Sequence, residues 1–496
     1  MADLLAGPCR DRPDGMAVSD ATGCDTYAEL SVKSRAAAEW LWTQGVRRGD
    51  RVMLLLPGGR DFAALLYGSL CGGAIAVPVN PGTGDLHLRW MLQDAEPALI
   101  VADVAGSARV RALGDFPVRE TPDLPADGGS DRQSWVGSTP ETGDTALLMY
   151  TSGSTAMPRA VRCPHDRVRF AVAAIARRLR YRADDVVLCQ LPISFDYALY
   201  QLFLAAEAAA HLVIRPELPH RAMLRMLREM GTTIFPVVPS LAEILVTLAQ
   251  REPGPTALRM FTNTGAALTE LHISGLRAAF PRAAIVSMYG MTECKRITIS
   301  DPDEDLAHPG TVGRPLDGTT VAITNGDGES LPPGDIGEIW VQGPHVMAGY
   351  WHDPERTRAR FDRPDEPTRA LRTGDYGFLD ADGRLYFVGR RDDIFKRREI
   401  RMSTAEVEAA ALDVPGVVAA ASVAPGADGE LVLWVVGEVT PTRVLTDLAG
   451  RLDRRRVPDR CVVLDELPLT RNGKVDKIAL RRGVDADRQV TPRARL

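Results

Sequence analysis

Between residues 27 and 79 the chain alternates between two apolar patterns, and few folds accommodate that alternation. Residues 27–42 carry the apolar spacing of a helix. Residues 51–56 are a short apolar run of the kind buried on both faces of a sheet. Residues 62–71 are helical again, and 74–79 form a second strand that stops at the turn Asn80-Pro81-Gly82. Strands joined through helices make a parallel sheet with helices on both faces. The alternation continues to about residue 300, interrupted by residues 115–144, whose Pro, Gly and Asp content predicts a long surface loop. From Gly310 to Tyr350 short strand-like runs (320–323 and 338–342) lie between Gly/Pro turns and predict a small β subdomain. Residues 362–370 read as a polar loop. Beyond Arg390-Arg391-Asp392-Asp393 a compact α+β unit is expected. Ser403-Thr404-Ala405-Glu406 opens a helix as a capping box, strands follow at 417–423 and 431–436, and the last dozen polar residues are expected to fray. No internal repeat is evident.

A chain of 496 residues exceeds one ordinary domain. Its net charge of −6 leaves no basic footprint for nucleic acid. The 7 cysteines are scattered without a C-x-x-C pair, so neither a zinc site nor a disulfide framework is indicated. Residues 1–11 do not read as a signal peptide. The most apolar stretch, 202–214, is short and holds Glu207 and His211, so it is no membrane span. A cytoplasmic location is expected. Of 59 basic residues only 5 are lysines, Lys33, Lys295, Lys396, Lys474 and Lys477. Where arginine has replaced lysine so widely, a retained ammonium marks a position that needs a compact point charge.

The segment Thr151-Ser152-Gly153-Ser154-Thr155 follows the apolar run 146–150 and precedes a helical pattern (Val168, Val172, Ile175, Leu179). Such a loop offers backbone N–H groups and hydroxyls to a phosphate chain. It is not a Walker loop, because no G-x-x-x-x-G-K-[ST] is present. With Arg159 it resembles the phosphate loop of the adenylate-forming superfamily, which comprises acyl-CoA synthetases, luciferases and peptide-synthetase adenylation domains. Their usual form is [ST]-S-G-[ST]-T-G-x-P-K-G. Three positions differ: Ala156 and Ala160 replace glycines and Arg159 replaces lysine. The resemblance implies an α/β fold. A large N-terminal domain of α/β-sandwich sheets with a small β subdomain (1–390) would precede a small mobile α+β C-terminal domain (391–496).

Further motifs follow in the superfamily's order. Tyr289-Gly290-Met291-Thr292-Glu293 is similar to Y-G-x-T-E, which implies that Tyr289 stacks on adenine, Thr292 bonds the α-phosphate and Glu293 holds Mg²⁺. The resemblance also places Gly265, Gly290 and Met291 at the nucleotide. Arg372-Thr373-Gly374-Asp375 is similar to [RK]-T-G-D, so Asp375 would accept both ribose hydroxyls. Arg390 would touch ribose or phosphate, and Asp392 would be the hinge. The closing motif ends at Lys474, which would bridge the attacking carboxylate and the α-phosphate. The implied cofactors are ATP and Mg²⁺. In Phe395-Lys396-Arg397-Arg398-Glu399, Glu399 stands where thioester-forming relatives keep a glycine beside the pantetheine tunnel. Either the side chain points to solvent, or no ordinary CoA thioester is made.

Asp196 falls where peptide-synthetase domains pair an Asp with the substrate's α-ammonium. Lys295 and Arg296 follow the Thr-Glu-Cys segment, and Arg296 would either pair with Asp196 or bind a second anionic group. Tyr197, Tyr200, Thr262, Thr264 and Met288 fall at other pocket-lining positions. That set is polar and aromatic, and it argues against a long acyl chain. The resulting expectation is an AMP-forming ligase for a small amine-bearing carboxylic acid (an amino acid or amino-aryl acid), with a carrier-protein thiol, CoA or an amine as acceptor. Two alternatives stay open: an enzyme that adenylates nitrite and diazotises an aryl amine, and a degenerate nucleotide-binding protein.

Overall fold

The computed structural model describes residues 2–125, 140–151, 157–362, 369–390, 394–397, 400–425, 430–452, 454–469, 475–477 and 479–481. Its two large sheets grow from the alternation read in the sequence. Strands Arg51–Leu55, Ile75–Pro78 and Leu99–Ala102 lie parallel, and their inner positions are buried without alternation, as strands covered on both faces must be. They belong to a six-stranded sheet that Thr145–Thr151 joins in parallel beside Ile75–Pro78. Met53, Val77, Ile100 and Leu148 of this sheet share a core with Leu88 and Leu92 of the helix Asp85–Ala95. The nine-stranded sheet has six parallel strands, in the order Ala284–Tyr289, Met260–Asn263, Ile234–Val237, Val186–Cys189, His211–Ile214 and Met16–Ser19. Its antiparallel edges are Thr298–Ile299 with Arg314–Pro315, and Cys24–Thr26. A five-stranded sheet carries the expected β subdomain, including Thr320–Thr324, Gly337–Gln342 and Ala370–Leu379.

One expectation is refined and one corrected. The helical pattern of Val168, Val172, Ile175 and Leu179 lies in the helix His165–Leu179, with a strand before it. Arg159–Pro164 first returns antiparallel to Thr145–Thr151, with Arg159 opposite Thr151, and the helix His165–Leu179 starts only afterwards. The loop core, residues 152–156, lies outside the described residues. The expected loop 115–144 starts later, because Val118–Glu120 pairs in parallel with Leu99–Ala102. A run of three residues was too short to show a period. Residues 363–368 and the last 15 residues also lie outside the described set.

The chain divides into two compact units. The larger comprises residues 1–267, 275–321 and 340–372. The smaller comprises 268–274, 322–339 and 373–496. In the smaller unit the helix Thr404–Leu412 starts where the sequence places it. The strands Val417–Val423, Val432–Gly437 and Arg460–Leu464 form one sheet over a core that includes Val407, Leu433, Val435 and Leu448. Among the described residues, no helix is long and apolar enough to cross a membrane.

Candidate active site

Asp196 opens the helix Asp196–Ala208, where a carboxylate suits the partial positive charge of a helix start. Lys295 and Arg296 reach it from a chain reversal after the strand Ala284–Tyr289. The reversal is tight: Cys294 N and Lys295 N both donate to Met291 O, and Ile297 N donates to Tyr289 O. A Cβ on Gly290 would stand 1.9 Å from Lys295 O, so this position requires glycine. Lys295 itself takes φ +66°, a left-handed conformation that costs a side-chain-bearing residue about 1–2 kcal/mol. That strain buries two consecutive cations against one carboxylate.

The Lys295 Nζ lies 2.8 Å from Asp196 Oδ1, and Arg296 donates from NH1 to Oδ2 at 3.1 Å. Lys295 is fully buried, while Arg296 and Asp196 are 3% and 6% exposed. The Lys295 contact is an ion pair by distance, and Lys295 Nζ has no hydrogen-bond partner among the described residues. Arg296 Nε and the buried Tyr200 hydroxyl likewise have no hydrogen-bond partner among the described residues. Burial works against the Lys295 ammonium. The Asp196 carboxylate and the Cys163 sulfur outweigh it and hold the ammonium above its usual range. The Arg296 guanidinium lies over the Tyr197 ring and the Lys295 ammonium faces Tyr200, at 5.1 and 5.5 Å. The Tyr197 hydroxyl is fixed by the backbone and side chain of Thr262. Thr264 and Met288 are buried at the ends of neighbouring strands. At Gly265, φ is +84° and a Cβ would meet the Phe195 ring at 3.1 Å. Asp196 is thus already paired inside the protein, and the arrangement keeps one cation in excess.

Glu293 lies two residues before Lys295. Its side chain is 7% exposed, and its Oε1 accepts the Tyr350 hydroxyl at 2.7 Å. Met347 N donates to the Glu293 carbonyl at 2.8 Å. Tyr289 is buried at the end of its strand, while Met291 and Thr292 are half-buried. Burial first, then the Glu293 carboxylate, pushes the Tyr350 hydroxyl far above its ordinary pKa, so it stays a donor. The segment holding Tyr350 runs beside Arg159–Pro164: Trp351 N donates to Ala160 O at 2.8 Å, and Arg162 N donates to Gly349 O at 2.9 Å. Thr151 and Arg159 therefore stand at the end of the hairpin next to that segment. Among the described residues no group of three potential metal ligands gathers. A lone carboxylate suits Mg²⁺, which keeps waters and takes its other ligands from phosphates. On that ground Glu293 fits the ion.

In the smaller unit Asp375 is buried on the strand Ala370–Leu379, directly across from Arg390 of Leu385–Arg390. The Arg390 Nε is 3.6 Å from its carboxylate. Asp375 N donates to Thr373 Oγ1. Lys474, Asp392, Glu399 and the loop residues Ser152, Gly153, Ser154 and Thr155 lie outside the described residues. Sequence reasoning missed Tyr350 and Cys163, because neither sits in a motif and both meet their partners only through the fold. Besides Lys295, Lys33 is buried against Asp25 at 2.8 Å, and Lys477 reaches Thr404 Oγ1 and Glu408 at 2.9 and 3.2 Å.

Residues 6–351 match the family described as AMP-binding enzyme. The salicyl-AMP ligase / salicyl-S-ArCP synthetase of Mycobacterium tuberculosis is 32% identical, over 97% of this chain and 90% of that one. An L-proline–[L-prolyl-carrier protein] ligase of Pseudomonas fluorescens is 28% identical, over 95% and 97%. Among solved structures, VinN in complex with L-aspartate is 43% identical, with a TM-score of 0.71 over 78% of this chain and 98% of that one.

Proposed function

Because the chain belongs to the family of AMP-binding enzymes, we propose that it is an AMP-forming ligase for a small acid bearing an amine and a second carboxylate, with a carrier-protein thiol as acceptor. The observation that carries this reading is the buried cluster of Asp196, Lys295 and Arg296, two cations on one carboxylate. A substrate ammonium alone would raise the cluster from one to two net positive charges, which is costly where solvent is excluded. An ammonium together with a carboxylate leaves the net charge unchanged. The ammonium would share Asp196, whose Oδ1 accepts no hydrogen bond among the described residues, with the two cations, and the carboxylate would take Lys295 Nζ and Arg296 Nε, which have no hydrogen-bond partner there. Tyr197, Tyr200, Thr262, Thr264 and Met288 would line the same pocket. The relative solved with L-aspartate, an acid of this description, supports the class. The relative that ligates proline to a carrier protein supports the acceptor.

In this reading the remaining carboxylate oxygen attacks the α-phosphorus of ATP. The bond from phosphorus to the bridging oxygen breaks, and pyrophosphate leaves with that electron pair. A thiol sulfur then attacks the acyl carbon, loses its proton, and AMP departs. Thr151, Arg159 and the loop residues 152–155 would receive the phosphates, with Thr292 at the α-phosphate. Tyr289, Gly290, Met291 and Gly265 would hold the base, and Asp375 and Arg390 the ribose. Lys474 would steady the two anions as they meet. Glu293, with one oxygen held by Tyr350, would bind Mg²⁺, which neutralises phosphate charge when present. Asp392 would be the hinge between a domain ending near residue 390 and the C-terminal one.

Pyrophosphate exchange over four classes of acid tests the substrate class. Exchange should be strongest with amino dicarboxylic acids and weaker with simple amino acids, dicarboxylates lacking an amine, and aryl acids. Greatest exchange with a simple amino acid would overturn the second-carboxylate reading. AMP release that depends on nitrite and an aryl amine, with none from any carboxylic acid, would favour the diazotising alternative instead.

A further inference from the structure

The helix Asp85–Ala95 reaches both ends of the phosphate loop, yet it has no part in the nucleotide reading above. Leu88, Met91, Leu92 and Ala95 are its buried face and belong to the core of the six-stranded sheet. Arg51 fixes its C-terminal end. Arg51 Nε donates to Ala95 O at 2.9 Å and NH2 donates to Glu96 O at 2.6 Å, so a cation sits at the negative end of the helix. Trp90 and Asp94 are four residues apart and share one side of this helix. The Tyr150 hydroxyl donates to Asp94 Oδ2 at 2.7 Å. Trp90 Nε1 donates to Pro158 O at 3.1 Å. Tyr150 immediately precedes Thr151, and Pro158 immediately precedes Arg159. Each end of the segment 151–157 is thus tied to a helix that the core already holds. Asp94 also joins the Glu293 side to this frame. Its carbonyl is among the last of the helix, which no intrahelical N–H satisfies, and it accepts from Trp351 Nε1 at 3.1 Å. Trp351 follows Tyr350, whose hydroxyl reaches Glu293, and Trp351 and Tyr150 pack on the same core.

We infer that Trp90 and Asp94 are positioning residues for ATP binding, which hold the two ends of the phosphate loop and the Tyr350–Trp351 segment in one frame. The inference rests on the nucleotide reading given above and adds to it two residues that act through the loop rather than on the ligand. A loop that binds phosphate through backbone N–H groups places its donors only as well as its ends are placed. A misplacement of about 1 Å in such donors costs much of their effect. Tethered ends also leave the loop less freedom to lose when ATP binds. The Tyr150–Asp94 bond is the stronger tie, because its acceptor is a carboxylate. The Trp90 bond joins a neutral donor to a backbone carbonyl nearer solvent and is the weaker one.

Calorimetric titration of the full chain with Mg-ATP and with adenosine, without any acid substrate, tests this. Tyr150→Phe keeps the ring and removes the hydroxyl. It should weaken Mg-ATP about 10-fold and leave the affinity for adenosine, which carries no phosphate, as in the parent. Asp94→Ala should do the same, and Asp94→Asn, which keeps an acceptor for the hydroxyl, should recover part of the loss. Trp90→Phe should weaken Mg-ATP about 3-fold. The double variant Tyr150→Phe/Asp94→Ala should lose no more than either single variant, because both remove the same bond. Gln93→Ala, exposed on the same helix, is the control and should bind both ligands as the parent does. Equal weakening of Mg-ATP and adenosine would mean that the helix only supports the fold, and unchanged Mg-ATP affinity would mean that the loop ends are set without it. Either result overturns the inference. A parent chain that fails to bind Mg-ATP would instead overturn the nucleotide reading on which it stands.

Discussion

At the scale of residues, the electrostatics of three side chains decide what the pocket accepts. Lys295 is fully buried and Arg296 nearly so, so each is felt at close to full strength by any group placed between them and Asp196. Lys295→Met keeps the volume and removes the ammonium. It should raise KM for the preferred acid by roughly 10-fold or more and narrow the gap between amino dicarboxylic and simple amino acids, read by pyrophosphate exchange over the same panel. A second test concerns Glu293. With Tyr350 fixing one oxygen, Glu293→Gln should raise the Mg²⁺ concentration needed for half-maximal exchange about 10-fold, and Tyr350→Phe should do so more weakly. An unchanged magnesium titration in Glu293→Gln would remove Glu293 as a metal ligand. The residue types at these positions were legible in the sequence. Their pairing was not: Arg296 and Asp196 are 100 residues apart, and the orientation that gives Asp196 both cations depends on the left-handed turn at Lys295.

At the scale of elements, turns and caps position the chemistry. The reversal 290–296 fits only without a side chain at Gly290, where an added Cβ would strike backbone at 1.9 Å, a clash no rotamer relieves. Gly290→Ala should therefore displace Glu293 and Lys295 together and lower adenylation by about 100-fold, more than it lowers the thermal midpoint. The helix Tyr27–Thr43 is opened by a complete capping box, in which Thr26 accepts from Glu29 N and Glu29 accepts from Thr26 N. Thr26→Ala should cost about 1 kcal/mol, measurable as a lower denaturation midpoint with exchange activity unchanged. The sequence located this helix to within a residue, because a 3.6-residue period over 17 positions is a strong local signal. It missed Val118–Glu120, a strand defined only by its neighbour Leu99–Ala102. It also missed that Arg159–Pro164 is a strand, because the pairing with Thr145–Thr151 makes it one.

At the scale of the whole molecule, the fold stores pH sensitivity away from the pocket. His345 is fully buried and His165 nearly so, and neither has a hydrogen-bond partner for a ring nitrogen among the described residues. Burial lowers both to about 4 from the ordinary 6.5. Arg167 adds to the effect at His345, and Asp144 opposes it at His165. The unfolded chain binds these protons more readily, so stability is complete above pH 6.5, falls as pH drops toward 4, and levels below it. A shift of this size is worth ~3 kcal/mol for each histidine. His345→Gln, which titrates nowhere in this range, should flatten the decline in denaturation midpoint between pH 6.5 and 4, and an unchanged slope would exclude His345 as its source. The sequence by itself determined the α/β class, the succession of motifs and the family, because hydrophobic period and motif spacing are properties of contiguous residues. It also marked Lys295 as a retained ammonium through the scarcity of lysine. Only the tertiary structure decided that Asp196 meets two cations and that Tyr350 braces Glu293. Charges act through space, and the distances between residues so far apart in the chain are set by the packing of sheets and turns.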